Sequence, residues 1–415
     1  MSDAASHYDA LETREPAVRE REQFQALAVQ LANAKARAPA FAKLLADVDP
    51  AAVTDRRALA RLPIVRKSEL MERQKASYPF GGLNAAPVGE LARIFASPGP
   101  IYDPETHRSD YYRLARALYA AGFRKGDLVH NCFAYHFTPA GSMMEAGAHA
   151  LGCPVIPAGT GQTELQVRVI ADLKPTGYAG TPSFLKIILD RAREMGVDVS
   201  SLKRASVSGE ALPPTLRADI KGHGVDVRQC YAIADLGLVA YETVPNEGLV
   251  IDEGLIVEIV RSGTGDPVPE GEVGEVVVTT FNPDYPLIRF ATGDLSAVLP
   301  GRSACGRTNQ RLKGWLGRAD QTTKVRGMFV HPSQLAEVLK RHPEVVKGRL
   351  VVDTADGLDR MILHAEVAGG GSDGQKAALV DSLHEVTKLR GGVSFAAPGS
   401  LANDGKVIDD QRKYD

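Results

Sequence analysis

Short apolar runs alternate with segments of helical spacing between residues 128 and 228, and this alternation constrains the fold more than any other feature of the sequence. Strands that are joined by helices pair in parallel, with the helices packed on the faces of the sheet. The sequence therefore predicts an α/β fold built on a parallel sheet. The apolar runs fall at residues 128–133, 155–156, 178–179, 205–207 and 225–228, and the helical segments at 139–151, 164–172, 184–195 and 214–222.

The pattern changes twice in the rest of the chain. Between residues 255 and 299 the helical segments disappear, and short strands are divided by Gly, Pro and Asp, which predicts a β-rich subdomain. After Trp315, strands surround helical segments at 332–340 and 374–389, which indicates a small α+β domain with its own core. Because 415 residues are too many for one ordinary core, we expect an N-terminal α/β domain at residues 1–316 and a mobile C-terminal domain at 317–415.

The charge balance and the cysteines exclude several classes of protein. With 49 basic and 51 acidic residues the net charge is -2, which argues against a nucleic-acid surface and against a polybasic membrane anchor. The cysteines form no C-x-x-C pair, so neither a structural zinc site nor a disulfide framework is expected. No segment approaches the ~20 apolar residues of a membrane span, and residues 1–21 lack an apolar signal core. We expect a cytoplasmic protein that acts on a small molecule.

The most specific segment covers residues 317–339, GRADQTTKVRGMFVHPSQLAEVL. Arg318 is a fork-shaped donor that suits phosphate oxygens, and Gly327 would let a ligand chain pass close to the backbone. A charged turn before an ordinary helix is the alternative interpretation. The order of residues resembles the hinge-and-hairpin motif of adenylate-forming enzymes, G-R-x-D…K-x-x-G…P-x-x-[IVL]-E. The resemblance implies that Asp320 is the hinge, that Arg318 binds phosphate and acts in catalysis, and that Lys324 and Gly327 help to bind the cofactors.

Three upstream segments resemble nucleotide-binding elements of the same enzymes. Residues 287–294, LIRFATGD, end on Asp294, whose carboxylate would accept hydrogen bonds from both ribose hydroxyls; an Asp that caps a turn is the alternative. Residues 229–235, QCYAIAD, imply that Tyr231 stacks on adenine and that Asp235 binds Mg²⁺ through hard carboxylate oxygens. A further turn resembles one that contacts adenine, and it consists of Ser208, Gly209 and Glu210.

The resemblance is strongest to the phenylacetate–coenzyme A ligase branch of these enzymes, and it extends from about residue 60 to the end of the chain. It is carried by residues 62–70, 77–81, 155–166 and 180–183. In that branch the region equivalent to residues 133–138 lines the acyl pocket. Aromatic side chains after a strand give a flat apolar site for an aryl ring, and simple core packing is the alternative. The resemblance assigns substrate binding to Phe133, Tyr135, His136 and Phe137.

Two segments depart from the pattern of the family. Its Gly/Ser/Thr-rich phosphate loop is replaced at residues 96–104 by ASPGPIYDP, in which three prolines lack N–H donors and Asp103 adds a negative charge. The ordinary pyrophosphate cradle is therefore missing or rebuilt. Near the C-terminus, Lys406 follows a glycine as the catalytic lysine of the family does. Alignment on the following V-I-D would place Lys406 at a neighbouring basic position instead, and a solvated tail lysine is the remaining alternative.

The resemblance implies an ATP-dependent ligase of a carboxylic acid and coenzyme A. A carboxylate, by preference an aromatic one, attacks the α-phosphate of Mg-ATP to give an acyl-adenylate, and the thiol of coenzyme A then displaces AMP. ATP, Mg²⁺ and coenzyme A are the implied cofactors and a homodimer is the implied assembly, without nucleic-acid or membrane partners. Two alternatives stay open: a catalytically lapsed member that binds an acid, an acyl-adenylate or a nucleotide, and an adenylating enzyme with a different acyl acceptor.

Overall fold

A computed structural model describes residues 6–97, 100–319, 321, 323–326, 328–355, 358–404 and 406–412. Its helices are α1 (Pro16–Arg37), α2 (Pro39–Leu44), α3 (Arg56–Leu59), α4 (Leu70–Ala76), α5 (Leu114–Ala120), α6 (Ala140–Ala150), α7 (Thr163–Leu173), α8 (Pro182–Met195), α9 (Pro214–Gly222), α10 (Pro332–Lys340) and α11 (Asp373–Thr387).

The strands of the first part of the chain are β1 (Val65–Arg66), β2 (Leu91–Ser97), β3 (Ile101–Thr106), β4 (Val129–Asn131), β5 (Val155–Pro157), β6 (Gly177–Gly180), β7 (Arg204–Val207), β8 (Asp226–Ile233), β9 (Gly237–Glu242), β10 (Leu249–Ile251), β11 (Leu255–Val260), β12 (Gly274–Thr280), β13 (Phe290–Ser296), β14 (Val298–Leu299) and β15 (Arg311–Leu312). The later strands are β16 (Thr323–Val325), β17 (Met328–Val330), β18 (Val345–Ala355), β19 (Leu358–Val367), β20 (Gly392–Ala396) and β21 (Ile408–Asp410).

The largest sheet has nine strands in the order β14-β15-β10-β9-β8-β7-β6-β4-β5. The five strands β5, β4, β6, β7 and β8 pair in parallel, and β8, β9, β10 and β15 pair antiparallel. The intervening helices α6, α7, α8 and α9 cover the segments for which the sequence predicted helices. The predicted parallel α/β fold is therefore confirmed.

The two faces of this sheet pack against different helices. One buried cluster contains Leu114 and Leu118 of α5 with Met144 of α6, and another contains apolar residues of α7, α8 and α9. The neighbouring residues Tyr178 and Ala179 on β6 belong to different clusters, as expected because successive side chains of a strand point to opposite faces. This arrangement leaves the carboxyl ends of the parallel strands as an open edge.

Two smaller sheets contain the segments that the sequence singled out around residues 100 and 290. Strands β2 and β3, which contain residues 96–97 and 101–104 of the segment that replaces the phosphate loop, pair antiparallel, and a further sheet has the order β1-β13-β12-β11. Strand β8 continues to Ile233, beyond the predicted end at residue 228, because its last residues pair with β9. Gly237 starts β9 with a φ of 75°, and a Cβ there would lie 2.5 Å from the carbonyl oxygen of Tyr112.

The chain divides into two compact units, of which the first comprises the chain up to Val257, Val278–Phe290 and Leu299–Trp315. The second comprises Glu258–Val277, Ala291–Val298 and the chain from Leu316 onward. Its C-terminal part has a sheet in the order β20-β19-β18-β21, with α10 and α11 over a shared core that includes Leu335, Leu350 and Leu379. The division at Leu316 lies next to the predicted boundary, but the second unit also takes in two earlier segments.

A search of the described residues finds no helix with the length and apolar character that a membrane crossing requires.

Candidate active site

An apolar cavity of about 190 Å³ lies in the first unit at the carboxyl ends of the parallel strands. Phe133 enters it after β4, the turn of Ser208 and Gly209 after β7, and the residues 232–234 at the end of β8. Ligands of open α/β sheets bind at this edge, where strand-end loops converge. The other described lining residues are Ser97, Leu114, Thr138, Pro139, Ala140, Met143 and Met144.

The structure brings one of the four predicted acyl-binding residues into this cavity. Phe133 lines it and is buried. The hydroxyl of Tyr135 instead donates to Glu145 Oε2 at 2.7 Å and accepts from Asn131 Nδ2 at 2.7 Å. The rings of His136 and Phe137 contact each other edge to face, with centroids 4.7 Å apart, and neither is among the described lining residues. Phe137 is 68% exposed.

Helix α6 supplies the wall that the sequence analysis did not assign. Met143 and Met144 are buried lining residues, one turn after the helix begins at Ala140. The signal that could have found them is the helix that directly follows a strand-end loop, because its first turns face the same edge of the sheet as the loop. Methionine is flexible and polarisable, so this wall can adapt to the shape of a bound ligand.

The predicted adenine turn lies at the same edge. The Ser208 hydroxyl donates to the carbonyl oxygen of Cys230 at 2.8 Å and so joins the ends of β7 and β8. Gly209 has a φ of 80°, a left-handed conformation that favours glycine, and Glu210 is exposed. Tyr231 is half-buried on β8, and its neighbour Ala232 lines the cavity. The first unit thus brings the turn and the strand end together beside the apolar cavity.

Asp235 is held by a lysine for which the sequence analysis gave no role. Lys67 Nζ donates to Asp235 Oδ2 at 2.5 Å, and the Asp235 side chain is fully buried. Lys67 lies within residues 62–70, one of the segments that carried the family resemblance. The two residues are 168 positions apart, so only the fold brings them together.

Asp103 of the rewritten loop is a buried group. It is 1% exposed and accepts a hydrogen bond from the Ser97 hydroxyl at 2.8 Å. Burial first, and then the charge of Asp235, raise the pKa of Asp103 well above its ordinary value. The sequence suggested that Asp103 repels phosphate as an anion; in the structure its carboxyl is buried, and the raised pKa favours its protonated form. Burial likewise raises the pKa of Tyr285, which interacts with both acids.

The residues around Asp235 offer a magnesium ion one carboxylate oxygen rather than a full set of protein ligands. Among the described residues, Asp235 Oδ1 is buried and has no N–H or hydroxyl donor, although the Asp103 carboxyl interacts with the same side chain; Oδ1 is the oxygen that a metal could use. Among the described residues, no group of three or more His, Cys, Asp or Glu side chains could hold a metal ion. Mg²⁺ is commonly held by one or two carboxylates together with substrate phosphates and water. The donor set therefore fits an ion that arrives with ATP.

In the second unit, the structure pairs Asp294 with Arg318. Arg318 Nη1 lies 2.8 Å from Asp294 Oδ1, and the chain on both sides of Arg318 runs antiparallel to β13. The amide of Leu295 donates to the carbonyl oxygen of Gly317 at 2.9 Å, and that of Ala319 to Gly293 at 2.7 Å. Two residues that the sequence assigned to ribose and phosphate are thus in direct contact.

The rest of the hinge segment is described in part. Asp320, Gly327 and the side chain of Lys324 lie outside the described residues. Strands β16 and β17 pair antiparallel, which agrees with the predicted hairpin. Lys406, two residues before β21, is exposed, and its Nζ lies 3.0 Å from Asp409 Oδ1. Burial alone would raise the pKa of Asp409, but hydrogen bonds from Gln411 and Lys406 lower it.

A parallel α/β body with an apolar cavity at its strand ends, and a G-R-x-D segment before a small α+β part, define an adenylate-forming enzyme. Residues 106–282 match the family described as "AMP-binding enzyme". The phenylacetate-coenzyme A ligase of Thermus thermophilus is 34% identical over 350 residues, which cover 80% of this chain and 78% of the relative. That of Aromatoleum evansii is 31% identical over 359 residues, covering 81% and 79%. The chain belongs to the phenylacetate–coenzyme A ligase family.

A solved structure supports the fold. A 2-hydroxyisobutyryl-CoA ligase in the postadenylation state, in complex with R3-HIB-AMP, matches with a TM-score of 0.73 at 23% identity, over 99% of this chain and 94% of the other. The family match and the relatives above confirm the predicted class and reaction: the chain is an AMP-forming acid–coenzyme A ligase that works through an acyl-adenylate. The roles of individual residues stay predictions.

Proposed function

We propose that this ligase activates a carboxylic acid with a single aromatic ring and a short side chain. The cavity of about 190 Å³ is the observation that carries the proposal. Pockets for drug-sized ligands span roughly 300–1,000 Å³, so a cavity of this size favours a small acid. Phe133, Met143 and Met144 contribute to its walls, and no ionisable side chain is among its described lining residues. Binding of the ring then depends on dispersion and on burial of apolar surface.

The nucleotide roles are proposed residue by residue. We assign adenine to Tyr231 and to the turn of Ser208, Gly209 and Glu210, whose position at the strand ends supports the assignment. We assign the ribose hydroxyls to Asp294 and phosphate oxygens to Arg318. Arg318 has donors beyond the one that Asp294 accepts, so it can retain the ion pair while it contacts phosphate. Mg²⁺ would be held through Asp235 and would offset the phosphate charge.

The remaining roles concern the two half-reactions. Lys406 would stabilise the charge that develops on the α-phosphate as the carboxylate attacks and pyrophosphate leaves. Asp320 would be the hinge about which the C-terminal domain moves, and Lys324 and Gly327 would help to bind coenzyme A for the second step. We also expect a cytoplasmic homodimer. These assignments extend the family resemblance to single positions of this chain.

Exchange of radiolabelled pyrophosphate into ATP tests the proposal, because it isolates the first half-reaction from the choice of acceptor. A panel should contain phenylacetate, a two-ring arylacetate of the same charge, and acetate. We expect exchange with phenylacetate, and at least tenfold lower kcat/KM with the larger and the smaller acid. Preference for the two-ring acid would contradict the size argument. Exchange with none of the acids would favour the alternative of a lapsed member that binds acids or nucleotides.

A further inference from the structure

Both peptide groups that flank the Cα atom of Lys406 are held by side chains. On one side, the amide of Lys406 donates to Asp404 Oδ1 at 3.1 Å. On the other side, the amide of Val407 donates to Gln321 Oε1 at 2.5 Å, and the next amide, of Ile408, donates to the same oxygen at 2.8 Å. A single side-chain oxygen therefore accepts from two consecutive amides, and it comes from the segment that resembles the hinge motif.

The residues that lead to Lys406 are anchored as well. Glu366 is buried on β19, and its carboxylate accepts from the amide of Gly399 at 2.9 Å and from that of Leu401 at 2.7 Å. Arg349 is buried on β18, donates to the carbonyl oxygen of Ala402 at 3.0 Å, and forms an ion pair with Asp404. Two buried charged groups thus hold the segment that leads to Lys406.

We propose that Gln321 is a positioning residue that fixes the backbone of Lys406 for adenylation. The inference rests on the proposed role of Lys406. It adds that Gln321 fixes the position of the Lys406 Cα atom, from which the side chain extends. A lysine side chain has several rotatable bonds, and its freedom costs free energy when it must reach one point. The backbone of Lys406 would add further conformational freedom, and fixing both flanking peptide planes removes it before substrate binds. Preorganised sites limit the cost of reaching a reactive geometry in this way.

The position of Gln321 explains why this task falls to a residue beside the hinge. Gln321 belongs to the second unit, as do Val407 and Ile408. Strand β21, which starts at Ile408, pairs in parallel with β18. The two hydrogen bonds that Gln321 accepts therefore connect the beginning of the C-terminal domain to the last strand of that domain. If that domain turns about the hinge, Lys406 and the hinge segment move together.

Replacement of Gln321 by methionine tests the inference, because Gln321→Met keeps the length of the side chain and removes the acceptor. We expect the kcat of carboxylate-dependent ATP–pyrophosphate exchange to fall at least tenfold, with KM for ATP and acid within twofold of the wild type. Thioester formation from supplied acyl-adenylate and coenzyme A should stay within twofold, since the lysine serves the first half-reaction. Gln321→Glu, which retains an acceptor oxygen, should recover most of the exchange rate. Gln25→Met, the same substitution at an exposed position of α1, is the matched control.

A double-mutant cycle separates this inference from the proposed function. If Lys406→Ala suppresses exchange and Gln321→Met adds no further loss in that background, the two residues act together, as we infer. Equal loss of both half-reactions in Gln321→Met, or exchange within twofold of the wild type, would overturn the positioning role. An unaffected Lys406→Ala variant would instead remove the role of Lys406. If Gln321→Met does not fold, Gln321→Asn, which shortens the side chain by one methylene, is to be judged by the same split between half-reactions.

Discussion

The guanidinium of Arg318 lies against the carboxylate of Asp294, with Nη1 2.8 Å from Oδ1. The Asp294 side chain is 12% exposed, whereas the Arg318 side chain is 53% exposed. The carboxylate of this ion pair is therefore largely buried, while about half of the Arg318 side chain remains exposed to solvent. The Arg318 guanidinium also packs closely against the backbone of Gly293, where a Cβ atom would lie only 2.8 Å from Arg318 Nη2.

The first prediction concerns the ribose assignment. Asp294→Ala removes a charged acceptor, and hydrogen bonds to charged groups contribute roughly 1.5–3 kcal/mol. We expect the Kd for ATP and for AMP to rise about 10- to 100-fold by calorimetric titration. Glu270→Ala, which removes an exposed acid of the same unit, controls for loss of negative charge. Unchanged nucleotide affinity in folded Asp294→Ala would remove the ribose assignment.

The second prediction follows from the buried carboxyl of Asp103. The pKa of Asp103 is raised in the folded protein. When the pH rises above the ordinary pKa of an aspartate, the unfolded chain therefore releases a proton that the folded chain retains. The stability of the folded state therefore falls with pH until the raised pKa is reached. The side chain of Asp103→Asn cannot titrate. We therefore expect the free energy of unfolding of the variant, relative to that of the wild type, to increase by up to about 1.4 kcal/mol for each unit of rising pH in that window.

Denaturant unfolding of Asp103→Asn and the wild type at pH 5 and pH 7 measures this effect. Asp266→Asn, at an exposed position, is the control and should show the same difference from the wild type at both pH values. A stability difference for Asp103→Asn that stays constant or shrinks with pH would show that Asp103 is ionised in the folded protein.

The third prediction tests the acyl cavity. Ala140 lines it from the first position of α6, and Ala140→Leu adds three carbon atoms into a small, packed space. We expect KM for the acid to rise at least tenfold, with the Kd for AMP within twofold. Ala150→Leu, at the exposed end of the same helix, is the matched control. Equal KM values in the two variants would mean that the acid binds elsewhere.

The fourth prediction concerns the loop at residues 96–104. Its three prolines lack N–H groups that could otherwise bind the β- and γ-phosphates. We expect AMP to bind at least as well as ATP–Mg²⁺ in calorimetric titrations. ATP binding that is tighter by an order of magnitude, ~1.4 kcal/mol, would show that the loop still holds phosphate.

The helices of the α/β body could be predicted from the sequence because their signals are local. Helix α8 begins at Pro182 after a Thr181 side chain that caps it, and it ends at Gly196 in a left-handed conformation; these are ordinary start and stop signals. Strand β8 was predicted too short because its last residues are stabilised by β9, a partner that a pattern of apolar residues does not reveal.

The candidate site could be predicted as motifs but not as contacts. Tyr135 was assigned to the acyl pocket by its place in the chain, whereas Glu145 and Asn131 determine where its hydroxyl points. The pairing of Lys67 with Asp235 depends on residues far apart in sequence, and the pKa of Asp103 is raised because the fold buries it and places it near Asp235. Such effects arise from tertiary packing, which no local pattern encodes.

Product analysis tests whether the chain is an AMP-forming acid–coenzyme A ligase. The purified chain is incubated with ATP, Mg²⁺, phenylacetate and coenzyme A, and nucleotides and thioester are separated and counted. We expect AMP, pyrophosphate and phenylacetyl-coenzyme A in equal amounts, with no AMP when the acid is omitted. Thioester formation accompanied by ADP and phosphate, or failure to form AMP with any acid of the panel, would contradict this assignment.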